Sequence, residues 1–159
     1  ILVRSSLQLS EIAFSITMLI FGAGCIFAAI IIPYLSKGMT ASRIMLAGSS
    51  LLSIVFVALA FWLILFDFIW FVLLLAWFIS GFGYTLLLTP MGRVIRKVSS
   101  VDEFSQVYSA QFSLSHLCWL FMYPLSGYLM TISGGSITLL ALAFLMVCSN
   151  IIAAWHFRS

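Results

Sequence analysis

Charge is what this sequence most lacks. Only 7% of its 159 residues are Asp, Glu, Lys or Arg, against about 25% in a soluble domain, so the chain has too little polar surface to cover a water-facing body. Acids are the scarcest: Glu11, Asp67, Asp102 and Glu103 are all there are, and none lies in the middle of an apolar run. That removes the paired carboxylates of general acid–base chemistry. There is also no HExxH, no glycine-rich phosphate loop and no Ser/His/Asp set, so nothing points to an enzyme or to a cofactor. Cysteine is sparse and odd in number. Cys25, Cys118 and Cys148 all sit inside apolar stretches, as small packing residues rather than a disulfide framework. The net charge of +3 comes from a few basic residues in short joins, which excludes a nucleic-acid partner. The chain opens ILVRSS without Met or a signal-peptide pattern, and reads as a piece of something longer.

What is there is grease: 64% hydrophobic residues and 16% aromatic. The bilayer is therefore the first partner. In lipid every backbone N–H and C=O must be bonded internally, which leaves helix bundles and closed barrels. Runs such as FVLLLAWFI and LLALAFLMV lack the alternation of a barrel strand, so the expected fold is all-α integral membrane. A span needs about 20 apolar residues. Five segments qualify, at about 9–35, 42–65, 68–91, 101–131 and 137–157, in one transmembrane domain over 1–159. The joins are SKGMTA, a short FDF turn, a loop RVIRKVSS and ISGGS.

Basic residues mark cytoplasmic loops. With five spans, Lys37, Arg43, Arg93, Arg96, Lys97 and Arg158 fall on one side and only Arg4 on the other. The expected topology is multi-pass, with the amino end outside and the carboxyl end in the cytoplasm. Helices two and five are apolar almost all round, as lipid-facing peripheral helices are; helix five offers only Ser149 and Asn150 as polar groups. Helix one carries Gly24-xxx-Ala28, which lets another helix approach closely. Helix three carries Trp77, Ser80, Gly81 and Tyr84 on one stripe, giving either a packing surface or a pore-facing Tyr84.

The segment 89–124 concentrates what polarity there is. Ser100-x-x-Glu103 has capping-box spacing, with Asp102 beside it; the alternative is a gate in which these acids pair with Arg93, Arg96 or Lys97. At about 100° per residue, Ser105, Ser109 and Tyr123 fall within about 20° of His116. Tyr108, Ser115 and Ser126 lie on one flank, and Gln111 closes the arc. Val107, Ala110, Leu114, Leu117, Phe121 and Leu125 occupy the other face. His116 falls near mid-depth, where an ionisable group is costly and marks function by default; the plainer reading is a neutral His bonded to a neighbouring helix. His116 and Cys118 are about 200° apart on the helix and cannot grip one ion together, so no metal site is expected.

Three stretches resemble the carboxyl-terminal half of a major facilitator superfamily transporter, from its eighth helix to its twelfth. They are PYLSKGMTASR after a glycine-rich helix, GFGYTLLLTPMGRVIRK entering a basic loop, and AQFSLSHLCWLFMYPLSGYL, which is similar to the eleventh helix of efflux-type members. The family's loop signature between helices eight and nine has an acid followed by basic residues and glycine; Lys37, Gly38 and Arg43 match parts of it and the acid has no counterpart. The resemblance implies a partial six-helix bundle, one of two halves that rock about a mid-membrane substrate site. The other half would be the missing amino-terminal part of the same protein. Expected function is secondary active transport of a small solute across the plasma (inner) membrane. Tyr84, Gln111, Ser115 and His116 are the substrate-cavity candidates, and Lys37, Gly38, Arg43, Arg93 and Arg96 the cytoplasmic gate candidates. If transport is proton-coupled, the carboxylate lies outside this sequence or His116 serves. The rival expectation is an accessory membrane subunit with no cavity.

Overall fold

A computed structural model describes residues 11–66 and 69–156. Arg4, Asp67 and Arg158, with the expected FDF turn, lie wholly or partly outside them. The described chain is helical throughout: α1 Glu11–Gly38, α2 Ala41–Leu65, α3 Trp70–Leu88, α4 Met91–Val98 and α5 Phe104–His156. Among the described residues four helical segments are long and apolar enough to cross a membrane.

The segments expected as the fourth and fifth spans fall together in α5. That segment runs 53 residues, or about 80 Å at 1.5 Å per residue, too long for one crossing. Its backbone leaves the helix at Gly134, with φ 76° and ψ 175°, a region open essentially only to glycine. Met122 and Met146 would lie about 36 Å apart in an unbroken helix, yet both line one cavity. The chain therefore doubles back at the ISGGS join.

One expected loop is a helix instead. RVIRKVSS is not an open connection: Met91–Val98 forms α4. Pro90 starts it with φ −74°, pre-set for a helix and needing no N–H donor. Val94, Ile95 and Val98 give the turn an apolar side, and Ile95 is buried, while Arg93, Arg96 and Lys97 take the other. Charge density concealed a short amphipathic helix.

The packing order differs from the chain order. α3 lies between α1 and α2, which hardly touch each other. Gly24 of α1 meets the backbone of Phe78 and Phe82, and Gly81 meets that of Phe21 and Cys25, so the small residues of helix one admit a close neighbour as expected. Ile32 and Leu86 share a cluster further along, which makes α1 and α3 parallel. On the other side a Cβ at Gly48 of α2 would come within 2.7 Å of the Gly83 carbonyl. Leu59 and Ala60 pack with Leu73, so α2 runs antiparallel to α3. The second part of α5 then covers α2, with Leu139 in the same cluster. Helix two is thus enclosed by α3 and α5 rather than peripheral. Its blandness misled because in lipid a packed helix needs small and apolar residues, not a polar stripe.

Gly81→Ala is expected to lower stability by about 1–3 kcal/mol, the usual cost of overpacking, because the new methyl would overlap the Phe21 carbonyl. Gly22→Ala, with open space around it, should be neutral or slightly stabilising. Thermal unfolding of the two variants in detergent checks the contrast.

Candidate functional site

A cavity of about 710 Å³ opens between α2, the end of α3 and both parts of α5. Its wall is mostly Leu, Met and Phe, broken by Ser49 and Ser53 of α2 and Ser149 and Asn150 of α5. Ser49 lies six positions beyond Arg43, so the polar patch sits about 9 Å along α2 from that cation.

The patch is tied together across the helices. The Ser49 hydroxyl donates to Asn150 Oδ1 at 2.7 Å, and Asn150 Nδ2 donates to Ser50 Oγ at 2.9 Å. Ser53 donates to the Ser49 carbonyl at 2.9 Å. One asparagine therefore clamps two consecutive serines of the neighbouring helix. Such bonds are worth about 0.6 kcal/mol each on average in a membrane, up to about 1.7, and they fix the register of α2 against α5.

The expected cavity residues fall elsewhere. Gln111 and Ser115 are half-buried; Gln111 Nε2 donates to Ser115 Oγ at 2.7 Å, and that hydroxyl donates to the Gln111 carbonyl at 2.9 Å. At helical spacing they share a stripe with Met122, which lines the cavity, and with half-buried Ser126. His116 sits about 100° round the helix from Ser115 and is exposed. Its Nδ1 lies 2.9 Å from the Phe112 carbonyl, a bond within its own helix. Its ring lies tilted between Phe112 and Trp119, with centroids 4.0 and 5.0 Å away. The inward face of this helix is thus centred on Gln111, Ser115 and Met122, not on His116. Tyr84 is half-buried against Phe21, ring centroids 5.8 Å apart, and does not line the cavity. No protein family, curated protein or solved structure matches this chain. What the molecule does must be read from this geometry.

The basic residues gather at one end. Arg93 Nη2 donates to Ser36 Oγ at 2.7 Å and so ties α4 to the end of α1. Lys37 lies over the Tyr34 ring at 5.6 Å, and Arg96 over Phe104 at 5.3 Å. Arg43 follows Thr40, whose hydroxyl accepts the Arg43 backbone N–H at 3.4 Å. Gly38 ends α1 with open space beside it. Among the described residues neither Asp102 nor Glu103 forms an ion pair with these cations. Glu103 closes the capping box instead: its N–H donates to Ser100 Oγ at 3.3 Å, and its Oε2 accepts the Ser100 hydroxyl at 2.7 Å. Among the described residues no three of His, Cys, Asp and Glu are grouped to hold a metal ion.

Sequence reading missed Ser49, Ser50 and Ser53. A usable signal was present: measured from the basic end, GSSLLS of helix two and SN of helix five come to similar depth on antiparallel helices. Polar residues at matched depth are each other's natural partners in lipid.

Asn150→Ala removes two interhelical bonds and should destabilise the protein by about 1–2 kcal/mol, with Ser50→Ala costing roughly half as much. Equilibrium unfolding in mixed micelles would read both. A second expectation concerns pH. The Ser100 hydroxyl, and then its N–H, hold the Glu103 carboxyl below its ordinary 4.5. A lowered folded-state value means that the cap's contribution is present above the unfolded value and fades as pH falls through the folded one. The protection of the Glu103 amide, relative to its intrinsic exchange rate, should therefore fall below pH 4.5 in the parent, and Ser100→Ala, which leaves only the Ser100 N–H bond to the carboxylate, should weaken that pH dependence.

Proposed function

We propose that this chain belongs to a secondary transporter of the plasma membrane that moves a small solute by alternating access, with the helix arrangement of a major facilitator half. The observation that supports the reading is the cavity: an opening of about 710 Å³ within a bundle of membrane-length helices, carrying a small polar patch on an apolar wall. That is the composition of small-molecule sites in general. An accessory subunit needs no such space.

In this reading the basic end faces the cytoplasm by the positive-inside rule, and the carboxyl end lies there too. The stripe Gln111–Ser115–Met122 leads from the basic end toward the cavity, with Met122 about 10 Å beyond Ser115. The opposite wall of the pathway is supplied by the amino-terminal half of the same protein. His116 and Tyr84 face that half or respond to its movement. The bond from Arg93 to Ser36, flanked by Lys37, Gly38, Arg43 and Arg96, acts as a latch between α4 and α1 that opens as the halves rock. If protons are coupled to transport, His116 is the ionisable group of the polar helix that can carry them.

The test is transport by the full-length protein in proteoliposomes. Gln111→Ala should slow uptake by about tenfold, the effect of losing roughly 1.4 kcal/mol of transition-state stabilisation, and His116→Ala should change how uptake depends on pH. Unchanged rate and unchanged pH dependence in both variants would remove the basis for the reading.

A further inference from the structure

The cavity wall is selective in a way that the transport reading leaves unspecified. Met45, Met122 and Met146 line it from α2 and the two parts of α5, and their flexible thioethers adapt to irregular apolar shapes. No Lys, Arg, His, Asp or Glu is among the lining residues. An ion entering would leave its hydration shell without gaining a counter-charge, which is strongly unfavourable in a low-dielectric wall.

Hydrogen-bond capacity remains at one patch. Asn150 Nδ2 has two hydrogens and gives one to Ser50. Ser53 donates its hydrogen to the Ser49 carbonyl and keeps its acceptor lone pairs. The Ser149 hydroxyl lines the cavity and has no hydrogen-bond partner among the described residues. One N–H, one hydroxyl and one acceptor are thus left within a wall that is otherwise apolar.

We propose that this cavity binds an uncharged, mainly apolar molecule with a hydroxyl, carbonyl or amide at one end, seated on Ser53, Ser149 and Asn150. As a binding site the assignment stands on the wall alone; as the identity of the transported substrate it rests on the transport reading. The apolar body occupies the methionine and leucine surface, and the polar end takes the three unfilled positions. Charged solutes and metal ions are excluded by the missing counter-charge.

The test uses the full-length protein in lipid nanodiscs and a photoreactive long-chain alcohol. Its alkane, carboxylate and trimethylammonium analogues share the same skeleton. Cross-links are mapped by mass spectrometry. The alcohol should label the segments 45–56 and 142–153 saturably. The carboxylate and trimethylammonium probes should label them at least tenfold less. Ser149→Ala, which removes no bond among the described residues, should weaken the alcohol by about fivefold, one hydrogen bond's worth, and leave the alkane unchanged. Equal labelling by alkane and alcohol would mean a groove for lipid tails only and overturn the proposal. Equal labelling by either charged probe would overturn it as well. Competition with the protein's own solute uptake in proteoliposomes separates the two readings: saturable labelling by an alcohol that leaves uptake unchanged keeps the site and denies it a part in transport, whereas inhibition of uptake without labelling of these segments sinks the site alone.

Discussion

Two glycines separated by one residue hold this fold together. Gly81 and Gly83 project about 200° apart on α3, so one opens the helix toward α1 and the other toward α2. At both faces backbone meets backbone: Gly81 lies against Phe21, and Gly83 against Gly48. In lipid there is no apolar driving force between helices, and association rests on close van der Waals contact and interhelical hydrogen bonds. A single Cβ at such a crossing separates the helices and weakens every contact along their length. The clusters around Ile44 and Leu86 at one end, and around Leu59 and Leu73 at the other, form only because the crossing brings the helices to this distance.

Against that dry centre, polarity is distributed by depth. Cations collect at one end, where Arg93 grips Ser36 and α4 presents its basic side. A few turns deeper, the polarity shared by α2 and the second part of α5 is neutral: the Ser49 and Ser50 hydroxyls and the Asn150 carboxamide bond to one another across the two helices. The same groups form both the clamp that sets the helix register and the polar patch of the cavity. Structural and binding roles therefore fall on adjacent atoms, with Asn150 in both and Ser149 in the second only.

Much of this was legible in the residues. Apolar runs of membrane length announced the helices, Ser100-x-x-Glu103 announced its capping box, ISGGS its reversal, and Gly24-xxx-Ala28 its close neighbour. Two things were not legible, for distinct physical reasons. The short helix α4 was hidden because its charges resemble those of a loop, while its single buried anchor, Ile95, is visible only once α2 and α5 are in place beside α4. The inward face of the first part of α5 was misjudged because His116 was taken as its centre. An imidazole bonded to the carbonyl one turn back and held between the rings of Phe112 and Trp119 has partners on its own helix, so its presence does not fix which side faces inward. The cavity's polar patch was overlooked because three serines in a greasy helix look like packing until their partner on α5 is known.

The placement of α3 has a consequence for how α1 and α2 are held. α1 and α2 are joined by only Met39 and Thr40, the kind of connection that ordinarily closes a helical hairpin. Here the hairpin stays splayed, because the surfaces that α1 and α2 bury are matched to α3 and not to each other. Among the described helices, α1 and α2 come together chiefly through α3, which lies between them. α2 has one side against α3 and the other against the last part of α5. The spacing of the glycines on α3 thus makes one helix the shared partner of two neighbours that its absence would leave apart.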